Sequence, residues 1–349
     1  MLRSLPMREV PYMLDYSLVK KELLVALRGE QSQLAMSRHL GFTFNQWHKW
    51  ETEQKWLRWD EFVDILIQLK IPVKNIFTTL FNFAEDPRNF QAILRNLCVG
   101  LSTEKIAETL EQNEDTIKRW AKNDISPSVE TVLCLIQVRQ NNLAELIAKL
   151  VSIDNVPALK TLFQSQKAHK NVEVQYPFSP AIEACFCLEA YKQLPIHSDQ
   201  WVAERTLISV PLVRAAINKL ENAGTIRKLG NHYELVDGWV QLNGLPLKEA
   251  VKVDHYWTKR ALDRYSGPDQ IPYLPEDRAN TNVRSFRVAS VSTEAAFQIQ
   301  ERLRQASQDV LAIINNDQGK KTEIKVYVSH CFDVKDIHWK VTDGTNYAE

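Results

Sequence analysis

Residues 32–51, SQLAMSRHLGFTFNQWHKWE, carry the pattern from which the rest of the chain is read. Ser32 is placed to cap a helix that stops at Gly41, and Thr43 to cap a second one running to about residue 53. In the first of these helices a large apolar residue and a small one stand side by side, Met36 and Ser37. The small residue lets the next helix cross closely, and Leu40 closes the turn three positions later. Trp47 and Trp50, at i and i+3, then hold the second helix against its neighbours. A preceding helix over 17–28 ends at Gly29, and a following one over 59–70 ends before Pro72.

The pattern returns 70 residues later, when 16–70 is laid over 86–140 without a gap. Leu23, Leu24 and Leu27 fall on Ile93, Leu94 and Leu97, and Met36 and Ser37 on Ile106 and Ala107. Leu40 falls on Leu110, Trp47 on Ile117 and Trp50 on Trp120. Phe62, Val63, Ile65 and Leu66 fall on Val132, Leu133, Leu135 and Ile136. Apolar positions superpose while most polar ones differ, as two copies of one helical core should. The second copy is expected to place helices over 88–99, 102–111, 114–122 and 128–140, with Ser102 and Asn113 as caps and Gly100 at a break.

The run Ser32-Gln33-x-x-Met36-Ser37-x-x-Leu40-Gly41, with Thr43, Trp47 and Trp50-Glu51, resembles the phage-repressor-type (xenobiotic-response-element) helix-turn-helix domain. Ser102-Thr103-x-x-Ile106-Ala107-x-x-Leu110, with Asn113, Ile117, Trp120 and Ser126-Pro127-Ser128, resembles a second one. The second departs by carrying Glu111 where a turn glycine is usual and Ala121 where a glutamate is usual. The resemblance implies that the helix after the turn enters the major groove of double-stranded DNA, N-terminal residues first.

In the first copy the residues so placed are Thr43, Phe44, Asn45, Gln46, His48 and Lys49. Asn and Gln suit adenine edges, Lys suits guanine or phosphate, and Phe suits a thymine methyl. Gln33, at the start of the helix before the turn, suits a phosphate, and no acid occurs over 31–50. In the second copy the same face opens with Glu114 and Asp115. Two carboxylates suit a helix N-terminus but repel phosphates, so this copy is expected to be structural or partner-binding.

Residues 1–80 and 86–152 are thus expected to form the two helix-turn-helix domains. Residues 153–180, with Pro157, Pro177 and Pro180, read as a connector. Over 181–237, helices at 180–194, 199–207 and 211–223 precede two strands around Gly230-Asn231, the order of a winged helix. Its DNA contacts would be Arg214, Asn218, Arg227, Lys228 and His232. Over 238–349 the pattern predicts a helix at 247–265, a strand at 283–292, a helix at 293–314 capped by Ser292, and a strand at 323–332. This order from the winged helix onward resembles an uncharacterised family of bacterial regulators. The family pairs a winged helix with a C-terminal domain of unknown function.

The expected fold is therefore mainly α: two tandem helix-turn-helix bundles, a winged helix and a small C-terminal α/β domain. The formal net charge of the 349 residues is zero, so any DNA-binding surface must be locally positive. No apolar run approaches the ~20 residues that cross a membrane, and residues 1–10 do not read as a signal peptide. Five scattered cysteines (98, 134, 185, 187 and 331) argue for a reducing, cytoplasmic setting, with Cys185 and Cys187 as buried structural thiols. There is no phosphate loop, no G-x-S-x-G, no C-x-x-C and no H-x-x-x-H. No enzyme activity, cofactor or metal is expected.

The functional expectation is a sequence-specific, homodimeric DNA-binding regulator, since one helix-turn-helix reads a half-site. The alternative is an adaptor for a protein or peptide. An apolar groove lined by Trp56, Trp59 or Phe81 would favour that alternative.

Overall fold

The computed structural model describes residues 14–81, 83–236, 245–263, 291–317 and 319–328. Over these residues the chain is mainly helical, with one two-stranded antiparallel sheet.

The first copy contains α1 (Tyr16–Arg28), α2 (Gln33–His39), α3 (Gln46–Glu51), α4 (Trp59–Gln68) and α5 (Val73–Phe81). The second contains α6 (Phe90–Leu97), α7 (Thr103–Thr109), α8 (Glu114–Ala121), α9 (Val129–Gln140) and α10 (Leu143–Leu150). The repeat extends to individual backbone hydrogen bonds. After α2, Leu40 N donates to Met36 O at 3.1 Å and Phe42 N to Ser37 O at 2.9 Å. After α7, Leu110 N donates to Ile106 O at 3.0 Å and Gln112 N to Ala107 O at 2.9 Å. Left-handed backbone also recurs 70 residues apart, at Gly41 and Glu111 and again at Glu53 and Asn123.

Ser32, Ser102 and Asn113 cap helices as their positions predict. Thr43 does not cap α3. Asn45 does, its Oδ1 accepting from His48 N at 3.3 Å. Thr43 and Phe44 belong to the turn, where Gln46 N reaches back to Phe44 O at 2.7 Å.

The two copies share one core. It runs without interruption from Val19 through Trp47, Trp59, Phe77 and Phe90 to Trp120, Ile136 and Leu159. The join is made by matching residues of the repeat. Trp59 N donates to Pro127 O at 2.9 Å, Val129 N donates to Leu57 O at 3.0 Å, and Arg58 bridges Ser128 in antiparallel register. Arg58 and Ser128 sit 70 residues apart, and exchanging the copies turns the Trp59–Pro127 bond into the Val129–Leu57 bond, so the contact is isologous and the two links are related by a local two-fold. Lys20 of α1, itself buried, pairs with Glu130 of α9 across the same join.

The segment read as a connector is ordered helix. A 3₁₀ turn, Ile153–Asn155, leads into α11 (Pro157–Gln175), with Pro157 in its first turn where the missing N–H costs nothing. Leu159 of α11 lies in the first core and Val172 in a second, so the helix is packed at both ends. Glu22 of α1 accepts from Ala158 N at 2.9 Å, and Gln166 donates to Asn141 O at 2.7 Å.

The second core belongs to α12 (Ser179–Cys187), α13 (Glu189–Lys192), α14 (Asp199–Thr206), α15 (Val210–Asn222), β1 (Ile226–Leu229) and β2 (His232–Leu235). The single helix expected over 180–194 is broken at Leu188, which is extended and buried. The hairpin pairs Leu229 with His232 around Gly230-Asn231, and Gly230 supplies the positive φ that tight turn requires.

Among the described residues two helices follow, α16 (Leu247–Asp263) and α17 (Thr293–Asn316), the latter capped by Ser292 as expected. The strand expected over 283–292 lies outside the described residues, apart from Val291 and Ser292. Residues 323–328 of the strand expected over 323–332 are not strand, and the remainder lies outside the described residues. Its alternating pattern finds no partner there: Ile324 packs on the second core, whereas Val326 and Tyr327 are exposed. An α/β layer is therefore not formed among the described residues. No helix among them is long and apolar enough to cross a membrane.

Candidate nucleic-acid interface

The position of α3 is set by a polar network, built around two buried side chains, that its apolar spacing alone would not supply. Ser37, fully buried, donates through Oγ to Gln33 O at 2.8 Å and accepts from Trp47 N at 2.9 Å. Glu51, 5% exposed, receives Arg28 Nε at 2.9 Å, Trp47 Nε1 at 2.6 Å and Gln33 Nε2. One buried carboxylate thus ties α1, α2 and α3 together, with charged and neutral donors occupying its oxygens. Gln33 continues the chain outward: its Oε1 lies 2.9 Å from His48 Nδ1.

The predicted reading residues fall into two groups. Thr43, Phe44 and Lys49 are exposed, Phe44 by 75%. Asn45, Gln46 and His48 are half-buried and already bonded within the unit. Asn45 caps α3, and His48 meets Gln33. Gln46, with its amide oxygen turned toward them, accepts from Trp50 Nε1 at 3.0 Å and Lys55 Nζ at 3.2 Å. Gln33 itself is drawn toward Glu51. The exposed surface is therefore the turn and the outer side of α3, while the half-buried amides and imidazole fix its shape.

The second copy lacks this network because its residues differ at each node. Seventy positions on from Ser37, Glu51 and Arg28 stand Ala107, Ala121 and Cys98. Its α8 face instead carries Glu114 and Asp115, which pair with Lys118 at 3.5 and 3.3 Å. Glu111 takes the left-handed turn position at φ 51°, where the first copy has Gly41 at φ 80°.

In the hairpin unit, the expected basic contacts are largely neutralised. Arg214 Nε pairs with Asp199 at 2.8 Å, and Arg227 with Glu234 across the hairpin. Asp199 also receives His197 Nε2 at 2.9 Å. Burial pushes the Asp199 carboxyl up, but the hydrogen bonds from His197 and Arg214 outweigh it and hold the group below its usual range. His232 Nε2 is turned inward, 2.8 Å from Leu194 O. Asn218 and Lys228 are exposed.

The apolar groove named for the adaptor reading is not assembled from its three residues. Trp59 and Phe81 are core residues, with Trp59 Nε1 donating to Pro87 O at 2.7 Å, and only Trp56 is exposed.

Sequence reasoning missed one cluster. His169 and Glu173 of α11 meet Glu183 of α12, all three buried. The signal was a His-x-x-x-Glu spacing inside the segment read as a connector.

Comparison with protein-family models, with curated proteins and with solved structures returned no match for this chain.

Proposed function

We propose that this protein is a sequence-specific DNA-binding transcriptional regulator whose first helix-turn-helix, α2 and α3, reads the major groove of double-stranded DNA. The observation that carries this reading is the contrast between the two copies. In one, a Glu51–Arg28–Trp47–Gln33 network centred on the buried Glu51 ties α3 to α1 and α2, and the face it presents carries Lys49 and no acid. In the other the network is missing and the face opens with two carboxylates. A fixed rod with donor groups and a positive charge is what base and phosphate recognition requires.

The base contacts fall to the exposed Thr43, Phe44 and Lys49, with Asn45, Gln46 and His48 shaping the surface beneath them. The second copy is the structural partner of the first. The winged-helix unit contributes Asn218 and Lys228 at most, since Arg214 and Arg227 are held by Asp199 and Glu234. Homodimerisation, which pairs two half-sites, needs a surface other than the α3–α4 link, because that link is paired with the α8–α9 link inside one chain.

Selection from random duplex DNA with the full chain tests this. A single enriched motif is expected, with affinity falling steeply as salt rises. Lys49→Glu should weaken binding by about tenfold or more, whereas Arg119→Glu, the matching exchange in the second copy, should change it little. An absence of any motif, or equal loss from both variants, overturns the reading.

A further inference from the structure

The cluster left over by the DNA reading lies where α11 meets the hairpin unit. His169 Nε2 is 2.8 Å from Glu183 Oε1 and 3.4 Å from Glu173 Oε1, and the three donor atoms all lie within 4.8 Å of one another. The side chains are 5%, 4% and 1% exposed for His169, Glu173 and Glu183. Two carboxylates and an imidazole thus converge in a space that water does not reach.

Such a grouping is expensive without positive charge inside it. The neighbouring cation, Lys170, is turned toward Glu145 on α10 at 3.1 Å. Burial pushes the Glu173 carboxyl up, with His169 and Lys170 opposing the rise and Glu183 adding to it. Glu183 Oε1 accepts no well-directed hydrogen bond despite its short approach to His169.

We propose that His169 Nε2 and one oxygen each from Glu173 and Glu183 bind a divalent cation of the zinc class, pinning the hairpin unit to α11. The donor set fits. Zinc bonds of about 2.0–2.2 Å at tetrahedral angles put ligand atoms about 3.3 Å apart, beside 2.8 and 3.4 Å for the two His169–carboxylate separations. One imidazole with two carboxylates favours zinc or a similar first-row ion over magnesium or calcium, which prefer all-oxygen shells. Two carboxylate charges and a divalent ion make a neutral centre, which suits burial. His169 and Glu173, four residues apart, share one face of α11, and Glu183 closes the site from α12. Because α11 also reaches the first core through Leu159, the ion would sit on a helix that packs into both cores.

This site is independent of any DNA contact, and its test needs none. The full chain, dialysed against chelator, is titrated with zinc chloride by calorimetry and with cobalt chloride by visible absorption. One equivalent of zinc is expected per chain, with tetrahedral cobalt d–d bands and a raised thermal midpoint. Glu173→Gln and His169→Gln, each checked for native circular dichroism, should each lose at least tenfold in affinity and lose the cobalt bands. Glu173→Gln removes a charge that burial disfavours, so it should fold even if His169→Gln does not. The proposal is overturned if the wild-type chain takes up neither ion, if Glu173→Gln binds undiminished, or if magnesium competes at equal concentration.

Discussion

Glu111 is a side chain in a glycine's place. The turn after α7 needs the same left-handed backbone as the turn after α2, yet only the first has Gly41 to supply it without strain. A side chain in that conformation costs about 1 kcal/mol or more. Glu111 is exposed, so its removal sacrifices little contact. Glu111→Gly should therefore raise stability by about 0.5–1 kcal/mol, the glycine's extra freedom when unfolded offsetting part of the gain. A urea titration of the two proteins measures this, and an unchanged or lowered midpoint refutes it. Glu51 is the opposite case, a buried carboxylate with all its donors in place. Glu51→Ala strands Arg28, Trp47 Nε1 and Gln33 and should cost about 3 kcal/mol, seen as a lowered urea midpoint. The same exchange should weaken DNA binding beyond what lost stability explains, because α3 loses its anchor. Both residues were visible in the sequence as a departure and a match. What the sequence did not show was that Asn45, Gln46 and His48 would be engaged inside the unit, because which side chain meets which depends on how closely α2 and α3 cross.

Helices with a strong apolar period and a capping residue were legible to within a residue or two: α1, α2, α7, α8, α9, α15 and α17 all lie where spacing and caps place them. The failures have a common cause. Thr43 and Asn45 are both competent caps two positions apart, and the turn length chose between them. Pro157 and the polar run after it read as a connector, yet that helix gains its stability from packing at both ends rather than from a clear apolar stripe. The alternating residues 323–328 lack a neighbouring strand, and alternation without a partner does not make a sheet. Within the hairpin unit, Asp199 links α14 to α15 through Arg214 and to His197. Its carboxyl is held below the usual range when folded, so its contribution is present above the unfolded carboxylate pKa and lost as pH falls through the folded one. Asp199→Asn should cost about 1–2 kcal/mol at pH 7, discounted for the exposed Arg214. The gap to wild type should close below about pH 4. Thermal melts of both proteins across that range decide it; a gap that stays constant with pH would sink the assignment.

At the scale of the molecule, two copies read as separate domains turn out to share one core. Lys20 of α1 is buried against α9, and the α3–α4 and α8–α9 links pair residue for residue. Residues 1–80 alone would expose much of that interface. They should unfold without a cooperative transition, whereas residues 1–165, which complete the first core, should show one. Circular dichroism in urea distinguishes the two, and a cooperative 1–80 fragment would contradict the fused core. The far end of the chain adds a further contact: Gly100, at φ 74°, lets Ala312 of α17 approach so closely that a Cβ would lie 3.3 Å from it.

The sequence alone determined the repeat, its 70-residue offset, the positions of most helices, and which copy carries an acid-free face. These are properties of local periodicity and residue type, which neighbours along the chain settle. Tertiary structure decided that the copies close on each other about a local two-fold, that the supposed connector is a buried helix, and that a histidine and two glutamates from distant turns converge. Those outcomes depend on which surfaces meet in space, and a linear pattern of apolar and polar residues leaves that choice open.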